Sequence, residues 1–63
     1  MPTITVQWAQ GRSLAQKREL TARITKVVAE VANVDSSNIV VYIHDVPDTN
    51  LGKNGKLRAD GWD

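Results

Sequence analysis

The chain has 63 residues, eight Lys and Arg against seven Asp and Glu, a net charge of +1, 41% hydrophobic residues and no cysteine. A chain this small makes one domain, residues 1–63, and a bare monomer of that size is marginal, since about 60 residues bury only about 60% of the surface they expose when unfolded. Without cysteine there are no disulfide staples and no thiol chemistry, the single His44 argues against structural zinc, and the near-cancelling charges offer no field for nucleic acid or an anionic membrane.

Oligomerisation is the remedy left for a small core. Ile4, Val6 and Trp8 alternate with Thr3, Thr5 and Gln7, the period-two pattern of a strand with one apolar face. Gly11 ends it. Ser13-Leu14-Ala15-Gln16 then reads as a capping box, with Ser13 capping the amide three residues on and Gln16 reaching back. From there Leu20, Ile24, Val27, Val28 and Val31 form a helical stripe, with Lys17, Arg18, Glu19, Arg23, Lys26 and Glu30 mostly on the other face, which predicts a helix from about Leu14 to Ala32. Asn33 to Asn38 is turn chemistry.

Ile39 to Ile43 is an apolar, β-branched run without alternation, the pattern of a strand buried on both faces. Pro47 stops it. The tail from Asn50 to Leu57 carries glycines around Asn54-Gly55, the signature of a tight hairpin. Strand, helix and strand in this order predict one βαβ unit with parallel strands and a right-handed crossover. The class is α+β: two parallel strands, one long helix and a short C-terminal hairpin. One helix covers only one face of a two-stranded sheet, so the face carrying Val40 and Tyr42 needs cover, and another copy of the chain is the simplest source. Assembly into oligomeric sheets is expected from the pattern alone. No apolar run approaches the ~20 residues of a membrane span, and the amino terminus lacks the basic and apolar regions of a signal peptide. A soluble cytoplasmic protein is the expectation.

Few side chains offer chemistry. There is no phosphate-binding glycine loop, no paired carboxylate and no metal-ligand cluster. His44 has no nucleophile at a motif spacing, and Asp45 and Asp48 flank Pro47, where carboxylates commonly satisfy backbone amides. The basic helix face reads as solvated surface, and Trp8 and Tyr42 as core, interface or pocket wall. Pro2 is the exception. Loss of Met1 turns its nitrogen into a free secondary amine at the end of a strand. An α-amino group has an ordinary pKa of about 7.7–8.0, so much of it is protonated near neutrality. Apolar walls and nearby cations disfavour the ammonium form and move it toward a useful base.

Pro2 starting a short strand, Gly11-Arg12-Ser13 before a long helix, a buried second strand and the glycine-rich Leu51-Gly52-Lys53-Asn54-Gly55-Lys56 tail together resemble the 4-oxalocrotonate tautomerase family. The resemblance covers essentially the whole chain and implies a tautomerase-like domain. It implies β-α-β subunits assembled as dimers and then trimers of dimers, usually hexamers. It also implies a cofactor-independent isomerase of small 2-hydroxydienoate or 2-keto acids, in which the amino-terminal proline moves a proton from the enol oxygen to a distal carbon. Pro2 matches that base, and Arg12 matches the family's arginine before the helix, an anchor for a substrate carboxylate.

Two positions depart from the family. Its second arginine, in the second strand, is Val40 here, and a pocket aromatic in the tail is Leu51. The resemblance implies that this arginine polarises the substrate's 2-keto oxygen, and loss of one such cation costs on the order of 10²–10³ in rate, judged by single oxyanion donors. Efficient turnover of the family's dicarboxylate dienol is not expected, and a substrate with one carboxylate rather than two is. Lys53 is the candidate replacement cation, and Asn38 a candidate donor to a carboxylate. Three alternatives stand beside the tautomerase: a hydratase or dehalogenase using protonated Pro2, a non-catalytic subunit, and a hetero-oligomer whose partner chain brings the missing arginine. The first wants a water-activating carboxylate, and none lies between Leu51 and Leu57.

Overall fold

The computed structural model describes residues 1–62. Strand β1, Thr3–Ala9, leads through a short turn into helix α1, Leu14–Ala32, and strand β2, Val40–Val46, returns alongside β1. A hairpin of two short strands follows, β3 at Gly52–Lys53 and β4 at Lys56–Leu57, with single 3-10 turns at Ser36–Asn38, Asp48–Asn50 and Arg58–Asp60. The architecture is the expected β-α-β unit with parallel strands and a terminal hairpin.

Each boundary has a local cause. Gly11 takes φ +116°, a conformation that turns the chain out of β1 at little steric cost only for glycine. Ser13 Oγ accepts from the Gln16 amide at 3.1 Å and Gln16 Oε1 accepts from the Ser13 amide at 2.9 Å, so the capping box is fully formed. Asn33 closes the helix in the left-handed region, its amide donating to the Ala29 carbonyl. Asn54 and Gly55, at φ 53° and 81°, make the two-residue turn of the hairpin, the paired positive φ of a type I′ turn.

Register then fixes which side chains share a face. Thr3 lies opposite Val40, Val6 opposite Ile43, Trp8 opposite Asp45 and Ala9 opposite Val46. Because side chains alternate, Ile4, Val6, Trp8, Val41, Ile43 and Asp45 share one face. Thr3, Thr5, Gln7, Val40, Tyr42 and His44 share the other. Strand β2 reaches three residues past the apolar run, through His44 and Asp45 to Val46, because β1 supplies a seven-residue ladder for it to pair with.

The half-buried positions of α1 are Lys17, Leu20, Thr21, Ile24, Thr25, Val28 and Ala29. Val27 and Val31, expected on the same stripe, are 57% and 83% exposed. Two strands about 4.8 Å apart make a sheet too narrow to cover a wide helical arc. It takes the part centred on Ile24 and Val28 and leaves the Val27/Val31 flank in the open.

No side chain among the described residues is fully buried. The radius of gyration is 14.9 Å, against about 11 Å for a compact chain of this length. The accessible surface is 4849 Å², against about 4,000 Å² for a compact monomer of this mass. Tyr42 on the uncovered sheet face is 54% exposed, so the cover that the β2 pattern asks for is not supplied by this chain itself.

Candidate active site

The ladder places the candidate residues at two separate ends of the sheet. Pro2 stands immediately before β1, half-buried, and its carbonyl accepts the Val40 amide at 3.1 Å. This hydrogen bond uses the proline's acceptor and leaves its nitrogen out of the ladder, which is why a residue without a donor is tolerated there. Met1 is 84% exposed, so its removal forfeits little packing. Asn38 and Val40 lie at this same end. Val40, opposite Thr3, gives the strand beside Pro2 an apolar side chain where the resemblance expects a cation.

Arg12 belongs to the other end. Seven residue steps separate Pro2 from Ala9, and at about 3.3 Å per residue that is about 23 Å. Within one chain the Arg12 guanidinium therefore neither touches a substrate atom held at Pro2 nor acts on its amine by proximity. The chain also leaves β2 toward Leu51 and Lys53 at the Val46 end, which pairs with Ala9. The five residues thus fall into two groups: Pro2 and Asn38 at one end, Arg12, Leu51 and Lys53 beyond the other.

The Arg12 end has a built electrostatic arrangement. The guanidinium carbon lies 5.4 Å from the centroid of the Trp8 ring, over its face, within the range of a cation–π contact. Trp8 Nε1–H donates to Asp45 Oδ1 at 2.7 Å, and Lys17 Nζ pairs with the other oxygen, Asp45 Oδ2. Asp45 thus bonds two side chains rather than the turn amides expected beside Pro47. Lys17 sits on the sheet side of α1 for the same reason, departing from the solvated basic face.

The Lys17 hydrogen bond, then the Trp8 hydrogen bond, hold the Asp45 carboxyl below the ordinary carboxylate range, with partial burial opposing them. A lowered carboxyl pKa contributes stability that is fully present above the unfolded value of about 3.9 and disappears as pH falls through the lower folded value. Asp45→Asn is accordingly expected to flatten the acid limb of urea midpoint against pH below about 3.9. An unaltered limb would mean that the carboxylate is unpaired in solution.

On the hairpin, Lys53 faces Lys56 directly across the two strands, a like-charge pairing that disfavours the turn. Lys53 Nζ lies 5.6 Å from the centroid of Trp62, which offsets that repulsion by seating one ammonium on a ring. The hairpin is further held by Arg58, whose amide donates to the Leu51 carbonyl at 2.8 Å and whose side chain reaches Asp48 at 3.7 Å. His44, on the uncovered sheet face opposite Gln7, is exposed. Among the described residues no cluster of three or more His, Cys, Asp or Glu is arranged for a metal ion, and no helix is long and apolar enough to cross a membrane.

Sequence reasoning missed the Lys17–Asp45–Trp8–Arg12 chain and the role of Trp62. Aligning Ile4 with Val41 as the start of each strand's inward phase would have set Trp8 opposite Asp45. No comparable signal ties Trp62 to Lys53.

Residues 2–61 match the tautomerase enzyme family. The chain belongs to this family. Among its relatives, a probable tautomerase of Streptococcus agalactiae is 36% identical over 58 residues, 92% of this chain and 97% of the relative. Solved tautomerase-fold structures superpose closely. DmpI from Archaeoglobus fulgidus gives a TM-score of 0.82 at 39% identity, covering 94% of this chain and 100% of its own. A heterohexameric 4-oxalocrotonate tautomerase from Chloroflexus aurantiacus gives 0.87 at 26% identity, covering 98% and 100%. A tautomerase-type isomerase therefore has its whole β-α-β scaffold in this chain, with the hairpin included.

Proposed function

We infer that this tautomerase acts on small 2-hydroxydienoate or 2-keto acids without a cofactor, with Pro2 as general base and Arg12 as carboxylate anchor. The observation that carries the reading is the position of Pro2. It ends the ladder with its carbonyl engaged and its nitrogen free of it, behind an exposed Met1. Once Met1 is gone, the neutral amine takes the proton of the 2-hydroxyl. The O–H electron pair becomes the carbonyl, the conjugated double bonds shift, and the ammonium returns the proton to the distal carbon. The net change moves one proton from oxygen to carbon and leaves the base as it began.

The wide separation of Pro2 and Arg12 requires a second copy of the chain, or a related partner chain, for both to act on one substrate. The open sheet face and the exposed Val27/Val31 flank supply surface for such a partner. A homo-oligomer, a hexamer built as a trimer of dimers, suits the family resemblance. A hetero-oligomer is the second reading, favoured by Val40 and by the likeness to a heterohexameric relative. Leu51 and Lys53 leave the sheet at the Arg12 end, so the same assembly brings them to a Pro2 of another copy. There Leu51 forms an apolar wall and Lys53 supplies the cation missing at Val40, polarising the substrate's 2-keto oxygen. Asn38, beside Pro2, donates its amide to a substrate carboxylate.

Ketonisation of phenylenolpyruvate and of 2-hydroxymuconate, followed optically with intact mass in parallel, tests the reading. Activity is expected in protein lacking Met1, faster on the monocarboxylate phenylenolpyruvate than on the dicarboxylate. The Lys53→Ala variant is expected to lose at least about tenfold in rate on both acids, as a missing charge-assisted hydrogen bond would do. Absence of turnover on either acid in Met1-free protein overturns the homomeric enzyme and favours the hetero-oligomer.

A further inference from the structure

The Arg12 guanidinium has no carboxylate within 4.0 Å among the described residues, although Asp45 lies on the same small patch. An arginine meant for a substrate anion has to stay unpaired, because a resident carboxylate would compete for the same bidentate edge. Two features keep it so. The Trp8 ring takes the guanidinium over its face, a contact that uses the cation's charge and none of its N–H donors. Both Asp45 oxygens are already engaged, one by the indole N–H and one by Lys17. Lys17 comes from α1 and Trp8 from β1, so helix and sheet jointly hold the carboxylate away.

We propose that Trp8 is a positioning residue that seats Arg12 for an incoming carboxylate, and that Lys17 holds Asp45 at the indole edge so that it does not neutralise Arg12. This rests on the reading of Arg12 as the anchor. Trp8 touches no substrate in the proposal and acts only through Arg12. Asp45 orients the indole, and Lys17 satisfies the oxygen that would otherwise turn to the guanidinium.

Steady-state kinetics on phenylenolpyruvate test it, with variants checked for folding by circular dichroism. Arg12→Ala is expected to raise KM at least about tenfold, as loss of a charged hydrogen bond does. Trp8→Leu should raise KM about three- to fivefold, the scale of an exposed cation–π contact, with a smaller change in kcat. Trp8→Phe should recover most of this loss, because it keeps a ring face. In an Arg12→Ala background Trp8→Leu should add nothing. Lys17→Ala should raise KM, and Lys17→Ala with Asp45→Asn should restore it, since the freed competitor is then uncharged.

A KM unmoved by Trp8→Leu, or moved equally with and without Arg12, overturns the proposal. So does a Lys17→Ala defect that Asp45→Asn leaves in place. The NMR shift of the Arg12 Nε–H separates this proposal from the anchor reading. Ring-face seating displaces that signal upfield, and Trp8→Leu should abolish the displacement. If Arg12→Ala leaves KM unchanged while the wild-type protein shows the displaced Arg12 signal, the anchor reading has failed and the seating stands. If the wild-type signal is undisplaced, the seating itself is refuted.

Discussion

Pro2→Ala is expected to lower kcat for ketonisation by about 10²-fold or more, the scale of a positioned general base. The variant keeps a small second residue, so Met1 is still removed and an α-amine remains. What it loses is the ring, which fixes the direction of the nitrogen's lone pair while the carbonyl stays on the Val40 amide. The residual rate therefore reports a base that is present but poorly aimed. A complementary form, in which Met1 is retained ahead of Pro2, should be inactive, because the nitrogen is then an amide and carries no available electron pair. The measurement is kcat for both forms with intact mass on the same samples. An unchanged kcat in Pro2→Ala, or full activity in protein that keeps Met1, removes the proline from the mechanism.

The elements of this fold were legible because their signals are local. The alternation from Thr3 to Trp8, the Ser13/Gln16 capping box and the Asn54-Gly55 turn each act within a few residues, and each appears where the pattern puts it. The helix flank was less legible. Val27 and Val31 satisfy the same period as Leu20 and Ile24, and only the width of a two-stranded sheet decides which of them it covers. The pairing of Asp45 with Trp8 and Lys17 was hidden for a related reason. It depends on strand register and on the rotation of α1, neither of which a window of neighbouring residues encodes.

The candidate site was legible residue by residue and illegible as an arrangement. Pro2, Asn38, Arg12, Leu51 and Lys53 can be named from motif positions, but the distance between the two groups follows only from the ladder. A seven-residue strand separates Pro2 from the Arg12 end, and no adjustment of side-chain rotamers closes a gap of about 23 Å. The same geometry explains the exposed apolar surface. A chain that buries no side chain fully among its described residues, and whose candidate site residues fall at two ends, has a stability reason to associate and, on the proposed function, a catalytic one.

Mixing two impaired variants is therefore expected to regenerate activity. If each site takes Pro2 from one copy and Arg12 from another, a pair formed from Pro2→Ala and Arg12→Ala chains contains one site with both defects and one site with neither. Such a mixed pair should carry about half the wild-type sites, and random exchange places half of all pairs in the mixed form. After dissociation and reassembly, an equimolar mixture should thus recover about a quarter of the wild-type rate per chain at a substrate concentration well beneath the raised KM of Arg12→Ala, where each variant alone is far slower, as the loss of a charged anchor requires. The control is the same mixture without dissociation, which should stay at the mean of the two variants' own rates if exchange is slow. Recovery must also depend on protein concentration, because a chain this small with an open sheet face assembles by mass action. No recovery after demonstrated exchange would place Pro2 and Arg12 in separate roles and leave the anchoring of the substrate to another residue.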